Sequence, residues 1–281
     1  MGKFADWLNK RDDYWICDPH APRKVQALGK VCNDKVEGRN LAVSLGMRVP
    51  ELDIYPTLNH IDFSQLPENV VIKPDNNWSG NGVFVIKGNM ELLRGVQVDR
   101  NNLKDFCLKF SDPSQYKYGG HIIEKPNRIL VEEMIVDYDC DYPSVPRDFK
   151  VYVAGGKAHL IQVIDRGNPW TEYSVYNPSW ERVFEEFQND YLPGITYNEP
   201  PNLRALIEAA ETIAKELGTF MRVDFYMDRY GPVFGEFTPS PFGGNNFSPE
   251  AEEFLLRLIE QYPDNIPEHW SKYYEGSAAP L

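Results

Sequence analysis

The sequence predicts a mixed α+β protein built as two lobes, and three features carry that prediction. The stretches 147–166 and 220–238 each read as two strands joined by a glycine-containing turn. The stretch 202–218 places apolar residues at helical spacing and stops at Gly218. A polar, glycine-rich loop, DNNWSGNG, separates two short apolar runs at 70–74 and 82–87. Antiparallel hairpins beside helices, rather than alternating strands and helices, are the mark of the α+β class.

Taken in order, the first residues carry Trp7, Leu8, Tyr14 and Trp15 without a clear period, so residues 1–33 read as an arm or cap. Asp34 opens a helical stretch, DKVEGRNLAVSLG, with Val36, Leu41, Val43 and Leu45 as its apolar positions and Gly46 as its stop. An extended piece follows around Leu52–Tyr55. VVIKP (70–74) reads as a short buried strand and GVFVIK (82–87) as its return, with a helical stretch over 99–110. ILVEEMIV (129–136) reads as a strand leading into the acidic loop DYDCDYPSVP. The first long hairpin turns at Gly155-Gly156, and the proline- and aromatic-rich residues 167–200 read as irregular. The second turns near Arg229–Gly231, and Ser248 with Pro249 starts a last helix as N-cap and first helical residue. A boundary near residue 128 leaves a smaller lobe, 34–128, around the glycine-rich loop, and a larger one, 129–281, with both hairpins.

The 281 residues are 42% hydrophobic, enough for a real core. No apolar run approaches the roughly 18 residues of a membrane-spanning helix. The N-terminal MGKFADWLNKRDDYW lacks the apolar centre of a signal peptide, so a cytoplasmic location is expected. A net charge of −13 argues against general binding to nucleic acid, which needs a basic surface, but leaves room for a local basic pocket. Cys17, Cys32, Cys107 and Cys140 are scattered, which fits idle thiols better than a zinc site or disulfides.

The candidate chemistry begins with Asp224 and Glu236, on the two arms of one predicted hairpin and each flanked by residues suited to a core. Strand neighbours point to opposite faces, so both carboxylates can share a face, where a hard cation would relieve their repulsion. Mg²⁺ takes one or two carboxylates and leaves its other positions to phosphates and water. A solvated acidic face is the plain alternative. Lys73 ends the VVIKP strand just before Ser79, Gly80, Asn81 and Gly82, whose backbone N–H groups suit phosphate oxygens; an ordinary turn is the alternative. Lys73 precedes the glycines, so this is not a P-loop. Lys35 lies in the first turn after Asp34, and alone it reads as a surface lysine. Glu132, Glu133, Met134 and Ile135 suit an adenine edge and ring, or simply a buried strand. Asp148, Lys150 and Arg166 put charges on the first hairpin, suited to developing negative charge or to cross-strand ion pairs. Asp137, Asp139 and Asp141 are spaced like the start of a calcium loop but lack its glycine and glutamate. Trp170, Tyr173, Tyr176 and Trp180 suit sugar stacking or a loop packed by its own aromatics.

The order of these pieces, more than any one of them, resembles the ATP-grasp superfamily, over roughly residues 34–245. The segments that carry it are DKVEGRNLAVSLGMRVPE, LPENVVIKPDNNWSGNGVFVIK, ILVEEMIV, RDFKVYVAGGKAHLIQVIDR and FMRVDFYMDRYGPVFGEFTPSPFGG. Within it the chain looks most like the teichuronopeptide-biosynthesis branch. The resemblance implies an ATP-grasp fold, two α+β lobes with ATP held between antiparallel sheets. It implies Lys35 and Lys73 on ATP phosphates, the loop 78–83 closing over the triphosphate, and Glu132 accepting from the adenine amino group. Met134 and Ile135 would add backbone contacts, and Asp148 would meet the ribose. Lys150 or Arg166 would bind the γ-phosphate or acyl-phosphate, and Arg222 would hold the carboxylate substrate or stabilise the tetrahedral intermediate. Asp224, Glu236 and Thr238 would hold Mg²⁺, or Mn²⁺ in its place.

The implied reaction is amide bond formation: a small carboxylate attacks ATP to give an acyl-phosphate, and an amine acceptor displaces phosphate. An amino acid, a peptide or a cell-surface polysaccharide precursor is the implied substrate. A kinase on the same fold, releasing a phosphorylated small molecule, and a nucleotide-binding protein without turnover remain as alternatives. Two departures stand out. Thr238 occupies the position where relatives often carry a metal-binding Asn, so a bridging water or Asn245 could serve instead. Only 34 residues precede Lys35, where many relatives carry a separate domain that helps to bind the acceptor.

Overall fold

The computed structural model describes residues 2–75, 80, 82–110, 128–139, 145–166 and 170–273. They divide into two compact units, Met1–Val49 with Val136–Leu281, and Pro50–Ile135. These limits differ from those drawn on the sequence, at 33 and 128, because strand pairing and helix packing cross both of them.

The inserted unit is one sheet with a helix on it. Its strands are β1 (Leu52–Tyr55), β2 (Asn69–Pro74), β3 (Phe84–Lys87), β4 (Met90–Glu91), β5 (Val96–Gln97) and β6 (Ile129–Glu133). Their order is β1-β6-β2-β3-β4-β5, and β6 pairs antiparallel with both β1 and β2. The strand at 129–133 therefore belongs here rather than to the following lobe. One face buries Val70, Ile72, Phe84, Ile86 and Val131 against Leu103 and Cys107 of the helix Leu103–Phe110.

The other unit is a seven-stranded sheet of β7 (Asp148–Ala154), β8 (Lys157–Asp165), β9 (Glu172–Tyr176), β10 (Arg182–Phe184), β11 (Leu192–Pro193), β12 (Met221–Asp228) and β13 (Gly231–Thr238). The order runs β10-β9-β8-β7-β12-β13, with β11 parallel to β9. Both hairpins form, turning at Gly155-Gly156 and at Arg229-Tyr230.

The helices are α1 (Lys3–Asp12), α2 (Arg23–Asn33), α3 (Lys35–Ser44), α4 (the Leu103–Phe110 helix above), α5 (Leu203–Leu217), α6 (Pro249–Gln261) and α7 (Trp270–Tyr273). Asp34 caps α3 by accepting from the N–H groups of Val36 and Glu37, 2.9 and 3.1 Å away. Gly218 ends α5 in the left-handed region, φ 65°. Ser248 caps α6 through Ala251 N–H, with Pro249 at its first position.

One face of the large sheet, including Phe149, Val151, Val153, Val163, Val223 and Phe225, packs with buried residues of α2, α3 and α5. The other face, including Tyr152, Leu160, Ile164, Tyr173 and Phe220, packs with α1 and α6. The first residues are thus no arm. Phe4 and Leu8 of α1 are fully buried, and Val25, Leu28 and Val31 of α2 join the first core. Arg11 and Trp15 continue the buried face of α1, and the charge on Arg11 masks its period in the sequence. The 167–200 segment likewise supplies three strands, with Tyr173 and Tyr176 buried. Trp180 stacks on Tyr176 at 4.1 Å and donates to the Tyr197 carbonyl at 3.0 Å, whereas Trp170 is 67% exposed.

Candidate active site

Strand alternation builds a row of charge on the large sheet. In β7, Phe149, Val151 and Val153 go to the α5 side, which sends Asp148, Lys150 and Tyr152 to the other. β12 matches this register, with Asp224 opposite Lys150 and Arg222 opposite Tyr152. β13 adds the last column: Glu236 is the partner of Asp224 and Thr238 that of Arg222. A bulge in this pairing falls between Asp224 and Phe225.

Asp224 is 6% exposed and carries the densest contacts of the row. Arg222 grips it with Nε on Oδ1 at 2.7 Å and a terminal nitrogen on Oδ2 at 2.8 Å. The Lys150 ammonium also donates to Oδ2. Burial pushes the Asp224 carboxyl up, but Arg222 and Lys150 outweigh it and hold it below the usual carboxylate range. Asp148 repeats the pattern. It pairs with Arg166 and stands 3.6 Å from Lys150, and these cations overcome burial to keep it ionised. Burial lowers both Arg166 and Arg222, and their carboxylate partners more than restore them. At the other end Lys35, in the first turn of α3, is 3.9 Å from Glu236. Lys35, Lys150, Arg166, Arg222, Asp148, Asp224 and Glu236 thus form one continuous charged row.

Thr238, expected beside the metal carboxylates, instead places its hydroxyl 2.9 Å from Arg222, which donates to it. Asn245 turns its amide onto the Gly243 carbonyl of its own loop. Asp224 and Glu236 remain as two hard oxygen donors on one face, with the Glu236 side chain 40% exposed. No group of three or more His, Cys, Asp or Glu arranged for a metal exists among the described residues. The donor set therefore fits a cation that keeps phosphate or water in its remaining positions, as Mg²⁺ does, and does not fit a closed zinc site.

The inserted unit has its own polar pair. Lys73 and Glu132 are diagonal neighbours across β2 and β6, and their charges meet at 2.6 Å. Glu133 points to the other face and accepts from Glu51 N–H at 3.4 Å, so only Glu132 stands with Lys73. Met134 and Ile135 follow, both buried. Beyond Lys73 the chain bends at Asp75, which is clamped to Arg128 by a 2.5 Å side-chain contact and a 3.0 Å backbone bond. Gly80 and Gly82 both adopt left-handed φ, 72° and 71°, as a tight loop requires. Ser79, Asn81 and Asp141 lie outside the described residues.

Two polar features escaped the sequence. Tyr152 donates to Gln162 at 3.1 Å, and Gln162 to Gln188 at 2.9 Å, a buried chain behind Arg222. The alternation in β7 points to Tyr152, but nothing local marks Gln188. Asp137 is no calcium ligand: it is buried and paired with Arg147, which donates to both its oxygens at 2.5 and 3.1 Å.

A family model described as TupA-like ATPgrasp matches residues 27–259. Among solved structures, the D-alanine–D-alanine ligase of Bacillus anthracis complexed with ATP is similar with a TM-score of 0.50 and 14% identity. The match covers 90% of this chain and 69% of that one. The VanG D-Ala:D-Ser ligase of Enterococcus faecalis gives a TM-score of 0.50 and 17% identity, over 88% of this chain and 61% of that one. At these identities the likeness is one of fold. A tyrosine decarboxylase of Papaver somniferum is 27% identical over 129 residues, 44% of this chain. That match spans 22% of the plant protein's length.

Proposed function

The chain belongs to the TupA-like ATP-grasp family, and from that premise we propose that it is an ATP-dependent ligase joining a carboxylate to an amine. The observation that carries this reading is the charged row on the large sheet, from Arg166 through Lys150 and Arg222 to Lys35. A carboxylate and the γ-phosphate of ATP are both anionic and repel as they approach. Four cations gathered along this row offset that repulsion.

Each residue then has a task. Lys73 and the N–H groups around Gly80 and Gly82 bind ATP phosphates, and Lys35 adds a further charge. Glu132 accepts from the adenine amino group, beside Met134 and Ile135, and Asp148 meets the ribose. Lys150 and Arg166 hold the transferred phosphoryl group, and Arg222 orients the carboxylate. Asp224 and Glu236 would hold Mg²⁺, which supplies charge neutralisation for the phosphates. The carboxylate oxygen forms a bond to the γ-phosphorus as ADP leaves. The amine nitrogen then attacks the acyl carbon and releases phosphate and a proton. No protein nucleophile is required, since positioning and charge carry the work.

The test is an ADP-release screen of carboxylates with and without amines, run on the unsubstituted protein and on Asp224→Asn. Release that needs both substrates and falls at least about 100-fold in the variant supports the ligase. A phosphorylated product that accumulates without any amine would make the protein a kinase. Near-normal release by Asp224→Asn would reject the metal assignment.

A further inference from the structure

The contacts of Asp224 set a condition on its use as a metal ligand. Its Oδ2 receives both a terminal Arg222 nitrogen, at 2.8 Å, and the Lys150 ammonium, and its Oδ1 receives Arg222 Nε at 2.7 Å. A divalent cation entering between Asp224 and Glu236 meets a carboxylate on which three donors already take three of about four lone-pair sites, so close ligation competes with them. It also meets two positive charges within contact distance of its ligand. Lys150 sits on the neighbouring strand, directly opposite Asp224, and is 3.6 Å from the second carboxylate, Asp148. Arg222 is held differently. Besides Asp224, it has the Thr238 hydroxyl at 2.9 Å and lies over the Phe242 ring, 5.7 Å from its centre. Those two contacts anchor one end of the guanidinium without depending on its bidentate grip on the carboxylate.

We infer that Arg222 and the divalent cation are alternative partners of Asp224, so that cation entry turns the guanidinium, still tethered at Thr238, toward an anionic substrate. Cation and carboxylate binding are then coupled, each favouring the other. The assignment of Thr238 changes with this. Its hydroxyl is the pivot of Arg222 rather than a third metal ligand. The inference rests on the metal assignment proposed above, and it concerns which of the two holds Asp224, not the ligation itself.

The experiment titrates the protein with Mn²⁺ alone, reading free ion by electron paramagnetic resonance, for the unsubstituted chain, Arg222→Gln, Arg166→Gln and Asp224→Asn. Both arginine variants remove one positive charge from the same row, but only Arg222 grips Asp224. Direct competition makes Arg222→Gln bind Mn²⁺ about tenfold more tightly, with Arg166→Gln changing affinity only about twofold. Equal gains in the two variants, or weaker binding by Arg222→Gln, overturn the inference while leaving the metal site standing. Unchanged Mn²⁺ binding by Asp224→Asn removes the metal site and the inference with it. A second measurement needs no variant. On adding Mg²⁺, the Nε–H proton of Arg222 should exchange with water faster by nuclear magnetic resonance, while that of Arg147, paired to Asp137, stays as it was. An Arg222 signal that Mg²⁺ leaves unmoved overturns the exchange of partners.

Discussion

A guanidinium buried among aromatic rings is costly unless its N–H groups find oxygens, and Arg11 shows how that requirement ties the start of the chain to the active hairpin. Its terminal nitrogens donate to the carbonyls of Phe220, at 2.9 Å, and Pro239. Phe220 immediately precedes β12 and Pro239 immediately follows β13, the two strands that carry Arg222 and Thr238 of the candidate site. Trp7 and Trp15 sandwich the same group at 4.9 and 4.5 Å. Arg11→Met keeps the volume but strips two buried carbonyls of their donor, so urea unfolding should show a loss of about 2–4 kcal/mol. The row of charge makes a second prediction. Asp148 and Asp224 titrate below their ordinary value in the folded chain, because the cations beside them outweigh burial. The unfolded chain therefore binds their protons first as pH falls. Their contribution is full above the ordinary carboxylate value, about 3.9, and is lost as pH drops through the lower folded values. Thermal melts should show this part of the stability vanishing only below about pH 4, and Asp148→Asn should weaken that acid transition.

At the scale of elements, caps and turns were legible where a local rule suffices. Asp34, Gly218, Ser248 with Pro249 and the two hairpins all follow from neighbouring residues. Gly218 gives a sharp test. Its φ of 65° suits glycine, and an added Cβ would stand 2.3 Å from the Asn265 carbonyl oxygen. Gly218→Ala should cost about 2–4 kcal/mol by denaturant unfolding, from a strained backbone and a close approach to main chain that cannot rotate away. The elements that stayed hidden failed for a shared reason: their residue types were decided by distant partners. In α1 a buried Arg11 breaks the apolar stripe, and in 167–200 the strands are short and their aromatics point inward. The site divides the same way. Alternation alone places Asp148 and Lys150 on one face, whereas Asp224 comes opposite Glu236 through the bulge between Asp224 and Phe225. That Thr238 serves Arg222 rather than a metal depends on how two side chains meet across one strand pair, and that Gln188 closes a buried chain depends on a distant irregular segment.

At the scale of the whole molecule, the two units differ in how much core each can draw on. The large unit has two extensive clusters of buried side chains, one on each face of its sheet. The unit Pro50–Ile135 has a single smaller cluster, built around Val70, Ile72, Phe84 and Leu103. A smaller unit buries a smaller fraction of its surface and is correspondingly less stable. In rising urea, the amides of β2, β3 and β6 should therefore lose protection from hydrogen exchange before those of β7, β8 and β12. A common midpoint would mean that the chain unfolds as one cooperative body. Ligand linkage extends the test to the proposed nucleotide contacts. If Lys73 and Glu132 bind ATP, MgATP at 100 times its dissociation constant should stabilise the folded unit by about 2.7 kcal/mol and move the midpoint of β2 and β6 upward. Lys73→Ala should abolish most of that shift, since its ammonium is the cation on this face that meets Glu132. A shift that survives Lys73→Ala intact would remove the lysine from the nucleotide site while leaving the two-unit description untouched.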